Sequence, residues 1–373
     1  MTIQQHSPHQ ADRPASGHTT RPRTPAWRPP LAALVLAMLS ACGGGGGGTE
    51  DSATTRTLTI NASNRDAVAQ TAAAAALGLG DGVGAVGLGA APDQRSQGIV
   101  ARSWAAHSGL LPAPVHRLLR ERLRAVSPGE GMKRAQAVIG PLPLGCTFGG
   151  TGSVSMDDAD NNGELSAGDT LTMRFDNCAE ESGMPVNGQI VVQLARYTAL
   201  PLLRMSGRMS FNNLSASDSE GSLTMNGTMG FDMAELDSNS DRMTVTAETP
   251  VTTRLATGTL SDTTTLGVGY QQTELYEYAV SMPGGQVSGR STVTLSGVLG
   301  STALGGSFSL ATTTPFVRYD IDPYPSSGVL LVQGRTGTVR LTAQSYRNVL
   351  LELDADDNGI YESSRAITWI WLM

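Results

Sequence analysis

The sequence predicts a mainly β protein: one large antiparallel sheet, built as a meander, sandwich or half-barrel, preceded by a small helical N-terminal segment. Three observations predict it. From Gly140 onward apolar residues recur with period two, the signature of a strand with one buried face. An internal repeat carries that period twice. Leu203-Arg-Met205-Ser-Gly207-Arg-Met209-Ser-Phe211 returns 20 residues later as Leu223-Thr-Met225-Asn-Gly227-Thr-Met229-Gly-Phe231. Turn signals such as Pro283-Gly284-Gly285 separate alternating runs, which gives local, antiparallel connections.

The N-terminus reads as an export signal. Arg21, Arg23 and Arg28 precede an apolar run, Leu31–Leu39, and the small-residue stretch Ser40-Ala41-Cys42. A charged flank, a short apolar core and a small-residue cleavage site define a signal peptide. The run is too short for a transmembrane helix, which needs roughly 17–25 apolar residues. Leu39-Ser40-Ala41-Cys42 resembles the lipobox of bacterial lipoproteins. That resemblance implies cleavage before Cys42 and acylation of Cys42. Gly43, in place of Asp, implies the outer rather than the inner membrane. Residues 1–41 are then the signal peptide and residues 42–56 a tether, whose glycines Gly43–Gly48 form a flexible coil.

Residues 57–139 form the helical and loop segment. Thr57–Ile60 suits a short strand. Asn61 or Ser63 suits the cap of an Ala-rich helix over Asp66–Leu77. Gly82-Val83-Gly84-Ala85-Val86-Gly87 spells a dinucleotide fingerprint. A helix precedes it, however, and no acid lies between Asp93 and Glu121, so nucleotide binding is not expected. Pro114 opens a second helix, with Val115, Leu118, Leu119 and Leu123 on one stripe and Arg117, Arg120 and Arg124 largely off it.

Residues 140–373 form the β domain. Both repeat copies read as half-buried strands and as the two arms of a hairpin, with Asn212–Ser222 as the connection. The repeated glycines mark a bend or a close approach. Further alternating runs are Val186–Leu194, Met243–Ala247, Leu266–Tyr270, Tyr276–Val280, Val293–Leu295, Phe308–Leu310 and Val339–Ala343. Ala366–Leu372 is apolar on both faces, as a central strand is.

Two acidic loops carry candidate chemistry. Asp158-Ala-Asp160-Asn-Asn162-Gly163-Glu164-Leu165-Ser166-Ala-Gly-Asp169 fits a twelve-position calcium loop, with oxygens at positions 1, 3, 5, 9 and 12, glycine at 6 and an apolar residue at 8. Asp169 stands where a longer Glu is usual, and strands rather than helices flank the loop. Asp354-Ala-Asp356-Asp-Asn358-Gly359-Ile-Tyr-Glu362 repeats the pattern in shorter form. The candidate ligands are therefore Asp158, Asp160, Asn162, Glu164, Ser166, Asp169, Asp354, Asp356, Asn358 and Glu362, holding calcium as a structural clip. Asp, Asn and Gly also make good turns without an ion. Cys146 and Cys178 lie symmetrically about residue 162, so a hairpin centred there sets them opposite each other, and an exported chain can bridge them.

Composition removes several functions. The chain has 26 basic and 33 acidic residues. Without residues 1–41 the balance is 22 to 32, a net charge of −10. Nucleic acid is not expected as a partner, because it demands clustered positive charge. All five histidines precede residue 117. The β domain thus lacks the imidazole that triads, zinc sites and proton shuttles use. Carboxylate hydrolysis stays open.

The lipobox with its glycine tract, the Cys-flanked stretch Gly163–Asp169 and the C-terminal stretch Leu351–Gly359 together resemble proteobacterial β-rich outer-membrane lipoproteins. The resemblance implies no activity. The leading expectation is a lipid-anchored, non-enzymatic envelope protein with a binding or structural role. It contacts the membrane through its anchor and faces the periplasm or the cell surface. The runner-up is a carrier of an apolar ligand in a concave sheet lined by Met205, Met209, Met225, Met229, Met233 and Met243. A carboxylate-based hydrolase comes third.

Overall fold

The computed structural model describes residues 56–78, 138–144, 146, 148–179, 185–217, 221–257, 260–282 and 285–373. The stretch read as a signal peptide, Cys42, the glycine tract, the dinucleotide-like stretch and the helix expected from Pro114 lie outside the described residues. The described chain forms helix α1 (Arg65–Gly78) and sixteen strands in one antiparallel sheet. The strands are β1 (Val138–Leu144), β2 (Thr151–Asp157), β3 (Thr170–Ala179), β4 (Pro185–Thr198), β5 (Arg204–Ser217), β6 (Ser222–Asp237), β7 (Ser240–Ala247), β8 (Val251–Thr257), β9 (Leu260–Leu266), β10 (Gln271–Ser281), β11 (Val287–Ser301), β12 (Gly306–Tyr319), β13 (Ser327–Gln333), β14 (Thr338–Ala343), β15 (Asn348–Asp354) and β16 (Ser363–Thr368).

The sheet is a meander with one fork. Between β6 and β11 the long strands are bridged at one end by β7 and β10 and at the other by the β8–β9 hairpin. The expected repeat strands are β5 and β6, paired directly. Met209 faces Met229, Gly207 faces Phe231, and Phe211 faces Gly227. Each glycine of the repeat thus lies beside an aromatic ring from the other copy. A side chain there would collide with neighbouring backbone: a Cβ on Gly207 would sit 2.0 Å from Gln193 O. The strands run further than the repeat. After a register shift at Phe211/Leu214 the alternation resumes through Leu214, Ala216, Leu223 and Met225, so the connection shrinks to residues 218–221.

One face of the sheet is buried, and α1 lies in the same core. Val68, Ala69 and Ala72–Ala76 are all at most 2 % exposed. A helix buried on every side needs apolar residues all round, and alanine lets packed strands approach closely. The cap is Asn64, not the expected Asn61 or Ser63: it immediately precedes α1, its C=O accepts from Val68 N and its Oδ1 from Asn61 N. Asn61 shapes the entering turn, its Oδ1 accepting from Ser63 N and its C=O from Arg65 N. Thr57 and Thr59 form isolated parallel bridges to Ser307 and Thr336 in place of a full strand.

Two expected strands differ. Leu266–Tyr270 spans the β9–β10 connection, because Gly269 adopts φ +81 and Tyr270 N returns to Gly267 O. Ala366–Leu372 is not a central strand. Among the described residues β16 is an edge strand, and it stops at Thr368, whose Oγ1 accepts from Trp371 N. Trp369–Leu372 then coils into one helical turn, which buries Trp369 and Leu372 while Ile370 is 70 % exposed. Trp369 is pinned there. Its Nε1 donates to Pro325 O and Ser345 O, and its ring stacks on Tyr324. The turn meets α1 through Gln70, whose Nε2 donates to Trp371 O.

Candidate functional site

The two acidic loops sit at opposite ends of the sheet. All ladder neighbours are antiparallel, so the loop after β2 and the loop after β15 close hairpins that point opposite ways. The loops are 196 residues apart in sequence, yet they are built alike. In the first, Asp158 accepts from Asn162 N at 3.2 Å and Gly163 N at 2.7 Å. In the second, Asp354 accepts from Asn358 N at 3.2 Å and Gly359 N at 2.8 Å. Asp160 and Asp356 each accept from the backbone and side chain of the following Asn, Asn162 and Asn358. Asn161 and Asp357 are both left-handed, at φ 57 and φ 58, and are followed by the positive-φ glycines Gly163 and Gly359.

The last acid closes each loop the same way. Ala159 N donates to Asp169 Oδ1 at 2.9 Å, and Ala355 N donates to Glu362 Oε2 at 2.8 Å. Asp169 therefore reaches the cluster despite its short side chain. Carboxylate oxygens of Asp158, Asp160 and Asp169 lie within 4.8 Å of one another, as do those of Asp354, Asp356 and Glu362. Such oxygen clusters suit a hard divalent cation. Among the other expected ligands, Asn162 Oδ1 accepts from Glu164 N and Asn358 Oδ1 from Ile360 N. Ser166 Oγ donates to Asp160. The Glu164 side chain is exposed and lies outside the cluster.

Burial differs within each loop. Asp158, Asp169 and Asp354 are at most 4 % exposed, while Asp160, Asp356 and Glu362 face solvent. Burial alone would raise the Asp158 carboxyl. The donors around it, Gly163 N foremost, outweigh that and hold it below its ordinary value.

Cys146 and Cys178 are bonded, with Cα atoms 5.2 Å apart. The pairing is as expected, but the register is not. Thr151 faces Asp176 and Asp157 faces Thr170, which centres the hairpin between Gly163 and Glu164. Cys146 instead precedes the ladder. Gly149 and Gly150, both at positive φ, turn the chain so that it reaches Cys178.

Sequence reading missed how the second loop is tied to the sheet. Asp357 accepts from Gly337 N and Thr338 Oγ1. Tyr361 packs its ring on Arg340, 4.0 Å from the centroid, while Arg340 forms a bidentate pair with Glu352. The Gly337 turn adjoins the strap into α1, since Ile60 N donates to Thr336 O. The spacing to Asp357 carries no signal for this, because the partners are remote in sequence.

The methionines fill the core. Met205, Met209, Met225, Met229 and Met233 are at most 5 % exposed. The space beside Met209, Met229 and Met243 is about 30 Å³, room for water rather than an acyl chain. On the opposite face an open polar depression of about 620 Å³ lies over β4–β7. Its two carboxylates are paired with arginines, Glu248 with Arg208 and Asp232 with Arg242 at 3.8 Å. Set against known protein families, curated proteins and solved structures, the chain matches none.

Proposed function

We infer that this is a lipid-anchored cell-envelope protein whose β domain is clipped by calcium in its two acidic loops and serves a non-enzymatic binding or structural role. The observation that carries the calcium reading is the repeated set of hydrogen bonds in the two loops, which presents converging carboxylates at both ends of the sheet. The Cys146–Cys178 bond supports export, since disulfides persist in oxidising compartments. The lipobox-like stretch ending at Cys42 supports the anchor. The chain reaches the sheet at Thr57, beside Ser307 at the start of β12 and Thr336 between β13 and β14. The second loop, bonded to that same region through Gly337, lies at the end of the sheet where the chain enters it.

Metabolic labelling with palmitate tests the anchor. The wild type is expected to take up label and to sediment with outer membranes. Cys42→Ser is expected to do neither. Equal labelling of both proteins would overturn the anchor.

A further inference from the structure

Among the described residues the sheet has two edges, β1 and β16, and they are treated differently. An edge strand exposes unpaired N–H and C=O groups and is a template for another strand. At β1 the chain reads Val-Ile-Gly-Pro141-Leu-Pro143-Leu. Pro143 faces Ser153 in the ladder; lacking an N–H, it turns its nitrogen away from β2, as proline does in edge strands. This edge offers few donors. At β16 there is no proline. Trp369 N donates to Arg347 O, which continues the β15–β16 register. It makes Ile367/Val349, Arg365/Leu351 and Ser363/Leu353 the hydrogen-bonded pairs. The backbone groups of Ser364, Ala366 and Thr368 therefore point outward, and all three residues are exposed.

We propose that β16 is an association edge and that its occupant is β16 of a second copy of this chain, paired antiparallel about a twofold axis at Ala366. Outward groups must bond outward groups, and of the registers that do so one pairs all three outward residues: it sets Ala366 opposite Ala366 of the second copy and Ser364 opposite its Thr368, whereas a shift of two would set Arg365 against Arg365. Small Ala366 lies on the axis, and Ser–Thr pairs flank it, a favourable cross-strand combination. Arg365 then lies across from Ile367 of the second copy, whereas parallel in-register pairing would set arginine beside arginine. The proline edge blocks the other outcome. If β16 paired with β1 of the next molecule, the contact would repeat head to tail and grow an open filament. With Pro141 and Pro143 at β1, pairing closes at two copies.

Light scattering on the full-length protein, purified from membranes in detergent, tests this. The wild type is expected at twice the chain mass. Ala366→Pro removes an outward N–H that β15 does not use, so it is expected at the monomer mass with its fold intact and its melting no longer dependent on protein concentration. A second variant keeps the test decisive should the proline disturb folding. Ala366→Cys is expected to crosslink to its own copy under mild oxidation, since hydrogen-bonded antiparallel pairs stand about 5.5 Å apart, within disulfide reach. Arg365→Cys is expected not to crosslink, because its copies sit diagonally. Wild type, which also carries Cys42, is the control. A monomeric wild type overturns the proposal, as does a dimer in which Ala366→Cys fails to crosslink.

Discussion

Substituting Asp356→Ala in the second loop should cost the protein most of one calcium site. Asp356 is exposed, and its carboxylate accepts only from Asn358, through backbone and side chain. Without calcium its loss is a modest one, about 0.5–1.5 kcal/mol for such a bond. With calcium the loss is larger, because an ion that binds only the native state contributes about 2.7 kcal/mol at a hundredfold excess over Kd. At about 2–4 °C per kcal/mol for large domains, the calcium-dependent rise in melting temperature should shrink by roughly 5–10 °C. Asp160→Ala should shrink it less. The Cys146–Cys178 bond closes a ring around the first loop even in the unfolded chain. Residual binding there reduces the net effect of the ion. No covalent link encloses Asp354–Glu362, and beyond it lie β16, Trp369 and Leu372, which the core must hold. The assay is calorimetric melting with millimolar calcium and with chelator. Equal losses in both variants would refute this reasoning, and so would an asymmetry that survives replacing both Cys146 and Cys178 by serine.

Two further outcomes are expected. Met209→Ala should destabilise by about 2–5 kcal/mol in urea, because it empties a packed core; near-neutrality would mean the methionines line an open surface. The Asp158 carboxyl is held below its ordinary value in the native state. Its stabilisation is therefore fully present above the unfolded value and is lost as pH falls through the lower native one. Between about pH 5 and pH 2, Asp158→Asn should flatten the fall of the urea midpoint with pH, and an unchanged slope would contradict this.

Most of the sheet was legible because one face is buried and side chains alternate. Met205, Met209 and Phe211 announce β5 without any tertiary information. The failures share a cause. Leu266–Tyr270 and Ala366–Leu372 alternate well, but the backbone decides them: Gly269 bends the first, and Thr368 caps the second into a helical turn. The Ala-rich stretch was legible as a helix, whereas its place inside the core depends on strands hundreds of residues away. The turns of the acidic loops were legible, since their hydrogen bonds are local and glycine is needed at Gly163 and Gly359, but Glu164 was counted among the ligands and lies outside the cluster. The ties from Asp357 to Gly337 and from Tyr361 to Arg340 were not, being contacts between separate hairpins.

Counting ions tests the paired loops most directly. Equilibrium dialysis of the disulfide-intact protein against millimolar calcium should find two ions per chain in the wild type, one in Asp160→Ala and one in Asp356→Ala. A wild type that binds none would contradict the calcium clip and leave both loops as plain turns.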